Sequence, residues 1–146
     1  MIVANLRNSR LVLGLTQKDV AKDLNVDDST VSGWECGKDT IPMERIIQYA
    51  RTYNFSLDYL FGLTDKREKI MDIALDLELI AMNLKTLRKE KNITQKDVAT
   101  IINTSQSAYS QYEKANILIN TSFLYNLVTY YKIESIDEFL TKPIEK

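Results

Sequence analysis

Histidine, the side chain that most often supplies acid-base catalysis and metal binding near neutral pH, is absent from all 146 residues. Without histidine, neither a Ser-His-Asp nor a Cys-His arrangement can form, and the usual zinc sites lack a ligand type. The single cysteine, Cys36, excludes an internal disulfide. We expect an inert thiol there, with redox sensing as the alternative. The carboxylates are scattered along helix surfaces without a glycine-rich phosphate cradle. The sequence therefore predicts no enzyme activity, no catalytic residue, no metal site and no cofactor.

Charge and hydropathy restrict the environment in which the chain works. Lys and Arg number 19 and Asp and Glu number 20, a net charge of −1. Any attraction to a polyanion must therefore come from local patches. The chain has no leader pattern and no run of about 18 apolar residues that could cross a bilayer. We expect a cytoplasmic protein that does not contact a membrane.

An internal repeat sets the architecture. The hexapeptide Thr16-Gln17-Lys18-Asp19-Val20-Ala21 recurs unchanged as Thr94-Gln95-Lys96-Asp97-Val98-Ala99, an offset of 78 residues. The same offset pairs Asn5-Leu6 with Asn83-Leu84, Arg10 with Arg88, and Trp34-Glu35 with Tyr112-Glu113. Later the offset becomes 79, which places one inserted residue in the turn after Tyr131. A match of this extent predicts two copies of one fold.

Each copy is predicted to consist of short helices. In the first copy, helix one contains Leu6 and Arg10, helix two runs from Gln17 to Leu24, helix three from after Asp27 to about Cys36, helix four from Pro42 to about Tyr53, and helix five from Ser56 to Phe61. Thr16 is a natural N-cap for helix two, and Gly37 can end helix three. No segment alternates between apolar and polar residues as a half-buried strand would. The elements are therefore all α-helical.

The stretch between the copies is not a flexible Gly/Ser linker. Its apolar residues recur at helical spacing: Ile70, Ile73, Ala74, Leu77, Ile80, Ala81 and Leu84. We predict a helix from Glu68 to Met82, capped by Thr64 or Asp65, that can run on into helix one of the second copy. Two arrangements would bury the stripe: packing back onto the domains, or pairing with the same helix of a second chain to give a homodimer. The sequence is compatible with both.

A longer pattern runs through the first copy and recurs in the second. It reads Thr16-Gln17-x-x-Val20-Ala21, then Asn25-Val26-Asp27, then Ser29-Thr30-Val31-Ser32-x-Trp34-Glu35-x-Gly37. This pattern resembles the lambda-repressor and Cro (XRE) family of helix-turn-helix proteins, over about residues 5–63 and 83–141. The resemblance implies an all-α chain of two tandem lambda-repressor-like bundles joined by a helical connector. The expected domain limits are 1–64, 65–82 for the connector, and 83–146.

The resemblance also implies which side chains meet double-stranded DNA. In this family the third helix enters the major groove while the second crosses the backbone. Base contacts carried over by position fall to Asp28, Ser29, Ser32 and Gly33 in the first copy and to Gln106, Ser107, Ser110 and Gln111 in the second. Phosphate contacts fall to Arg10, Gln17, Lys18 and Lys38, and to Arg88, Gln95, Lys96 and Lys114.

The two sets of base contacts differ in chemistry. Gln106 and Gln111 suit bidentate bonding to adenine, whereas Asp28 can only accept a hydrogen bond. The second copy is therefore expected to be the stronger base reader. It departs from the family after helix three, where Ala115 and Asn116 stand in place of Gly37 and Lys38. This change leaves its phosphate contact there in question.

Together these implications predict a sequence-specific DNA-binding transcriptional regulator that reads two unequal half-sites of an operator. Repression by occupying a promoter is the common role in the family. The alternative is that one copy binds a protein partner, such as an anti-repressor or a toxin, while the other stays on DNA. The first copy, whose recognition face is acidic, is the better candidate for the protein contact.

Overall fold

The computed structural model describes residues 1–69 and 72–145. Within these ranges the chain forms ten helices and no strand, apart from one isolated antiparallel bridge between Phe55 and Glu68. The chain divides into two compact units, Met1–Asp72 and Ile73–Lys146. The predicted all-α class with two helical bundles is thereby confirmed. None of the helices described combines the length and the apolar character required to cross a membrane.

The first unit contains five helices. They are α1 Leu6–Val12, α2 Gln17–Leu24, α3 Asp28–Cys36, α4 Met43–Tyr53 and α5 Leu57–Leu60. At the start of α2 the Thr16 hydroxyl accepts from the Asp19 amide at 3.0 Å, and the Asp19 carboxylate accepts from the Thr16 amide at 2.8 Å. This reciprocal pair satisfies two donors that a helix start leaves open. The predicted Thr16 cap is confirmed, and Asn25 ends α2 in the left-handed conformation with φ 56°.

The ends of α3 and α5 are capped in different ways. Asp27 occupies the N-cap position of α3, but its side chain makes no capping hydrogen bond. Gly37 ends α3 with φ 85°, as its lack of a side chain permits. The Ser56 hydroxyl caps α5 by accepting from the Tyr59 amide at 2.9 Å.

The second unit repeats this arrangement. Its helices are α6 Leu77–Glu90, α7 Gln95–Ile101, α8 Gln106–Glu113, α9 Thr121–Tyr131 and α10 Ile136–Thr141. Thr94 and Asp97 form the same reciprocal cap, with distances of 3.1 Å and 2.9 Å. The turn between α9 and α10 is one residue longer than the turn between α4 and α5. The inserted residue therefore lies where the change of offset predicts it.

The connector helix is shorter than predicted. It begins at Leu77 rather than Glu68, and its N-cap is Asp76, whose carboxylate accepts from the Leu79 amide at 3.1 Å. Thr64 and Asp65 are therefore wrong as caps. The backbone before it is used differently, because the Ser56 amide donates to the Arg67 carbonyl at 2.9 Å. From Leu77 the helix continues without a break into the first helix of the second bundle.

The apolar stripe of the connector is mostly used inside the second unit. Ile80, Ala81 and Leu84 are buried on α6, which packs against α8 and α10. Ile70, which also belongs to the predicted stripe, lies outside the described residues. Of the two arrangements that would bury the stripe, these three residues adopt the packing onto a domain.

A matched asparagine ties the first helix of each unit to the last. Asn83 is completely buried; its Nδ2 donates to the carbonyls of Phe139 and Lys142 at 2.8 Å and 2.9 Å, and its Oδ1 accepts from the Ile144 amide at 2.9 Å. In the first unit Asn5 Nδ2 donates to the Tyr59 carbonyl at 2.7 Å. The recurrence of this residue at the 78-residue offset thus has a structural cause.

Candidate functional site

The outward sides of α3 and α8 carry most of the predicted base-contacting residues. Both helices turn an aromatic residue inward, Trp34 in α3 and Tyr112 in α8. On the other side, four residues are exposed: Asp28, Ser29, Gln106 and Ser107. Three more are half-buried: Ser32, Ser110 and Gln111. Seven of the eight predicted base contacts are therefore accessible at the surface.

Gly33 is the exception. It is buried, and a Cβ placed on it would lie 3.0 Å from the Asp39 carboxylate oxygen Oδ2. The Asp39 amide also donates to the Gly33 carbonyl at 3.2 Å. The loop after α3 thus folds a carboxylate over this position, so Gly33 does not share the surface accessibility of the other seven residues.

Arg10 and Arg88 have a role different from the predicted phosphate contact. Arg10 donates to both carboxylate oxygens of Glu35, from Nε at 2.7 Å and from Nη2 at 2.9 Å, and to the Leu15 carbonyl at 2.9 Å. Arg88 does the same with Glu113, at 2.8 Å and 3.0 Å, and with the Ile93 carbonyl. These guanidinium groups are mostly buried, with 10% and 17% of their side chains exposed. They join the first helix of each bundle to the end of α3 or α8, and these contacts occupy the groups that a phosphate would need.

The electrostatics of these pairs reflect their contacts. Hydrogen bonding to Glu35 raises the pKa of Arg10, and hydrogen bonding to Glu113 raises that of Arg88, in both cases against the opposing effect of burial. Burial by itself would raise the pKa of Glu113. The hydrogen bonds from Arg88 and Gln95 outweigh burial, so the pKa of this carboxyl lies below its usual value. Arg88 and Glu113 are therefore both held in their charged forms.

Gln17 and Gln95 are drawn into the same clusters. The amide Nε2 donates to Glu35 at 3.3 Å in the first unit and to Glu113 at 3.2 Å in the second. Each glutamine is half-buried at the start of its helix. The lysines predicted as phosphate contacts are all exposed: Lys18, Lys38, Lys96 and Lys114. The bond to Glu35 thus holds the first residue of α2 against the end of α3, and the bond to Glu113 holds the first residue of α7 against the end of α8.

The turn after α8 keeps the shape that glycine gives the first unit. Ala115 adopts a left-handed conformation with φ 60°, comparable to Gly37. Its amide donates to the Tyr112 carbonyl at 3.2 Å, and the Asn116 amide donates to the Gln111 carbonyl at 3.1 Å. This pair of bonds is a Schellman C-cap. The loss of glycine therefore does not change the hand of the turn.

Replacing Ala115 with glycine is expected to stabilise the second unit by about 0.5–1 kcal/mol. The left-handed conformation destabilises an L-residue by roughly 1–2 kcal/mol in the folded state, and glycine removes this strain. Glycine also gives the unfolded chain more conformational freedom, which offsets about 0.4–1 kcal/mol of the gain. Thermal unfolding should show a rise of a few degrees in Tm. The matched control is Gly37→Ala, which should destabilise the first unit, because its Cβ would lie 2.8 Å from the Ile2 side chain. A fall in Tm for Ala115→Gly would contradict this account of the turn.

The surroundings of α3 and α8 differ in charge. Asp27, Asp28 and Asp39 are exposed around α3, whereas the same offset places Ser105, Gln106 and Ile117 around α8. At the end of α1 three apolar side chains are exposed: Leu11, Val12 and Leu13. Their counterparts at the end of α6 are Lys89, Glu90 and Lys91. The second unit therefore has neutral side chains where the first has Asp27, Asp28 and Asp39, and charged side chains where the first has Leu11, Val12 and Leu13.

Comparisons with known proteins agree with this geometry. The family model described as Helix-turn-helix matches residues 6–60 and 84–139. The uncharacterized HTH-type transcriptional regulator YobD of Bacillus subtilis (strain 168) is 32% identical over 65 residues, which cover 44% of this chain and 58% of YobD. The chain thus matches little more than half the length of that relative. No solved structure matches the chain significantly.

Proposed function

We propose, from the premise that this chain belongs to the helix-turn-helix family in two tandem copies, that it is a sequence-specific DNA-binding transcriptional regulator. It acts as a repressor by occupying a promoter. The premise also accounts for the resemblance to lambda-repressor-like proteins in both halves of the sequence. YobD carries the name of an HTH-type transcriptional regulator, which supports the same assignment.

The observation that carries the proposal is the outward row of polar side chains on α8. Gln106 and Ser107 are exposed and Ser110 and Gln111 are half-buried on the side opposite the core. The major groove admits an α-helix, and amide side chains can pair there with base edges. Lys96 on α7 and Lys114 at the C-cap of α8 are also exposed. Phosphate contacts from such lysines would position the helix without adding sequence information.

The first unit contributes unequally in this proposal. Asp28, Ser29 and Ser32 are accessible on α3, but Asp28 can only accept a hydrogen bond, for instance from a cytosine amino group. Two linked readers gain affinity through effective concentration even when one is weak. We therefore expect an operator with two half-sites of different weight.

Selection from a randomised duplex pool at fixed salt tests the proposal. The wild-type protein should enrich a two-part site. Gln106→Ala should reduce discrimination at one base pair by about tenfold, since a good bidentate pair contributes about 1–3 kcal/mol. The matched variant Ser29→Ala/Ser32→Ala should relax the other part of the site by a smaller factor. Salt is held constant because phosphate contacts dominate total affinity.

The outcomes separate the possibilities. Failure of the wild-type protein to enrich any sequence would overturn the proposed function. A perfect palindrome read equally by both copies would contradict the unequal half-sites. If Gln106→Ala relaxes the enriched site and Ser29→Ala/Ser32→Ala does not, the first unit does not read bases.

A second candidate function applies to the first unit alone. Its carboxylates Asp27, Asp28 and Asp39 repel phosphates, and its exposed apolar residues at the end of α1 resemble a protein contact more than a DNA contact. The first unit would then bind a basic protein partner, such as an anti-repressor or a toxin, while the second stays on DNA. Charge-neutralising substitutions at Asp27 and Asp28 that leave operator binding unchanged would favour this candidate.

A further inference from the structure

The end of α8 places one polar side chain directly on another. The Schellman turn brings Asn116 back along the helix, so that its Nδ2 donates to Gln111 Oε1 at 2.7 Å. The main chains of the same two residues are also bonded, with the Asn116 amide donating to the Gln111 carbonyl at 3.1 Å. Asn116 is thus anchored by its backbone, and its side-chain amide is presented to Gln111 from a fixed position.

This contact determines which atoms Gln111 offers outward. Its carbonyl oxygen is engaged by Asn116, while its Nε2 group has no hydrogen-bond partner among the residues that the structure describes. An amide carries an acceptor on one side and two donors on the other. With the acceptor side turned to Asn116, Gln111 presents its donor side. Gln106, which is exposed one helical turn or more away, has no such neighbour in the structure described.

We propose that Asn116 determines the base specificity of α8 by holding the Gln111 carbonyl toward itself, so that Gln111 turns its amide donors outward. The inference rests on the proposed DNA-binding function. In the major groove guanine presents two acceptors, N7 and O6, whereas bidentate recognition of adenine requires the glutamine carbonyl to accept from N6. Gln111 therefore reads guanine, and Gln106 keeps the adenine preference that the sequence predicts for both. Asn116 is a positioning residue in this scheme, since it acts through Gln111.

The first unit lacks this device and serves as an internal comparison. The offset of 78 residues places Gly33 opposite Gln111 and Lys38 opposite Asn116. Gly33 has no side chain to orient, and Asp39 covers it. The orienting pair is therefore specific to the second unit.

Site selection with the full chain at fixed salt tests the inference. Asn116→Ala should lower the preference for guanine at one base pair by about tenfold, a cost of about 1.4 kcal/mol within the range for one base contact. Gln111→Ala should relax the same base pair, and the double variant should lose nothing further, because both changes remove one interaction. Asn116→Asp should reverse the preference: a carboxylate only accepts, so Gln111 turns its Nε2 inward and offers its carbonyl to a donor base such as cytosine.

Other results overturn the inference. If Gln111→Ala relaxes a base pair while Asn116→Ala and Asn116→Asp leave that preference intact, Asn116 is only part of the helix cap. The backbone bond from residue 116 to Gln111 survives either substitution, and thermal unfolding provides the check that the fold is retained. If the wild-type protein enriches no sequence at all, the proposed function fails first and the inference fails with it.

Discussion

Replacing Glu113 with glutamine is expected to destabilise the second unit by about 3–5 kcal/mol, the cost of breaking a buried ion pair from one side. The Glu113 carboxylate is 1% exposed and accepts from Arg88 at 2.8 Å and 3.0 Å and from Gln95 at 3.2 Å. The variant has nearly the same shape but leaves the Arg88 guanidinium with no opposite charge. A loss of this size is a large part of the stability of so small a domain.

Denaturant unfolding at pH 7 measures this loss, and pH supplies a signature of its cause. Because the folded-state pKa of Glu113 lies below its usual 4.5, its contribution is complete above about pH 4.5 and disappears as the pH falls through the lowered pKa. The difference between wild type and Glu113→Gln should therefore narrow under acid. A difference that stays constant to low pH would assign the loss to packing rather than charge.

Two further variants serve as controls. Glu35→Gln makes the matched change in the first unit and should destabilise that unit instead, since Glu35 binds Arg10 with the same geometry. Arg88→Met/Glu113→Leu replaces the pair with apolar groups, which is often neutral or stabilising. If the double variant is as unstable as Glu113→Gln, the stranded guanidinium is not the cause.

The sequence predicts the local structure well because the relevant signals are local. Thr16 and Asp19 lie three residues apart and form their cap within one turn, and the recurrence of both at 94 and 97 repeats the same evidence. The limits of α2 agree with the prediction for the same reason. An internal repeat adds a second copy of every such signal, so the bundle architecture follows from it.

The side-chain roles that depend on distant partners are predicted less well. Arg10 and Glu35 are 25 residues apart, and a basic residue near a surface helix looks the same in sequence whether it meets phosphate or a buried carboxylate. One signal was available, since Arg and Glu recur together as Arg88 and Glu113. The two opposite charges are present in both copies, whereas the matched position of Asp28 is occupied by Gln106 in the second copy. A pair that both copies keep indicates a structural role rather than a contact that varies between them.

Two other differences have similar physical causes. The burial of Gly33 depends on the path of the loop that brings Asp39 over it, which no helical periodicity encodes. Part of the segment predicted as the connector helix is bonded to the first unit instead, since the Ser56 amide donates to the Arg67 carbonyl and the Lys69 amide donates to the Asn54 carbonyl. The apolar spacing of the segment is compatible with a helix and does not reveal these backbone partners. The pairing of Asn116 with Gln111 likewise requires the left-handed turn at Ala115, a conformation that alanine rarely adopts.

Replacing Asn83 with alanine is expected to destabilise the second unit by about 3 kcal/mol without altering base preference. The substitution removes three hydrogen bonds at a completely buried side chain. It leaves the carbonyls of Phe139 and Lys142 and the Ile144 amide without this partner, and each buried unsatisfied group costs about 1–3 kcal/mol. Lys142 is exposed and Ile144 is half-buried, so water can replace part of the loss there.

Comparison with Asn5→Ala makes this expectation specific. Asn5 is half-buried and its side chain makes one such bond, to the Tyr59 carbonyl, so the first unit should lose only about 1 kcal/mol. Denaturant unfolding of both variants measures the two losses of stability. Equal losses would contradict a larger stabilising role for the three hydrogen bonds of Asn83, which form a clamp between α6 and the end of the second unit. The clamp joins α6 to α10 and the residues after it, whereas the outward row lies on α8. Site selection with Asn83→Ala should therefore enrich the wild-type sequence, whereas Asn116→Ala should change the sequence and leave stability nearly intact. The two variants thus separate what holds the second unit together from what it reads.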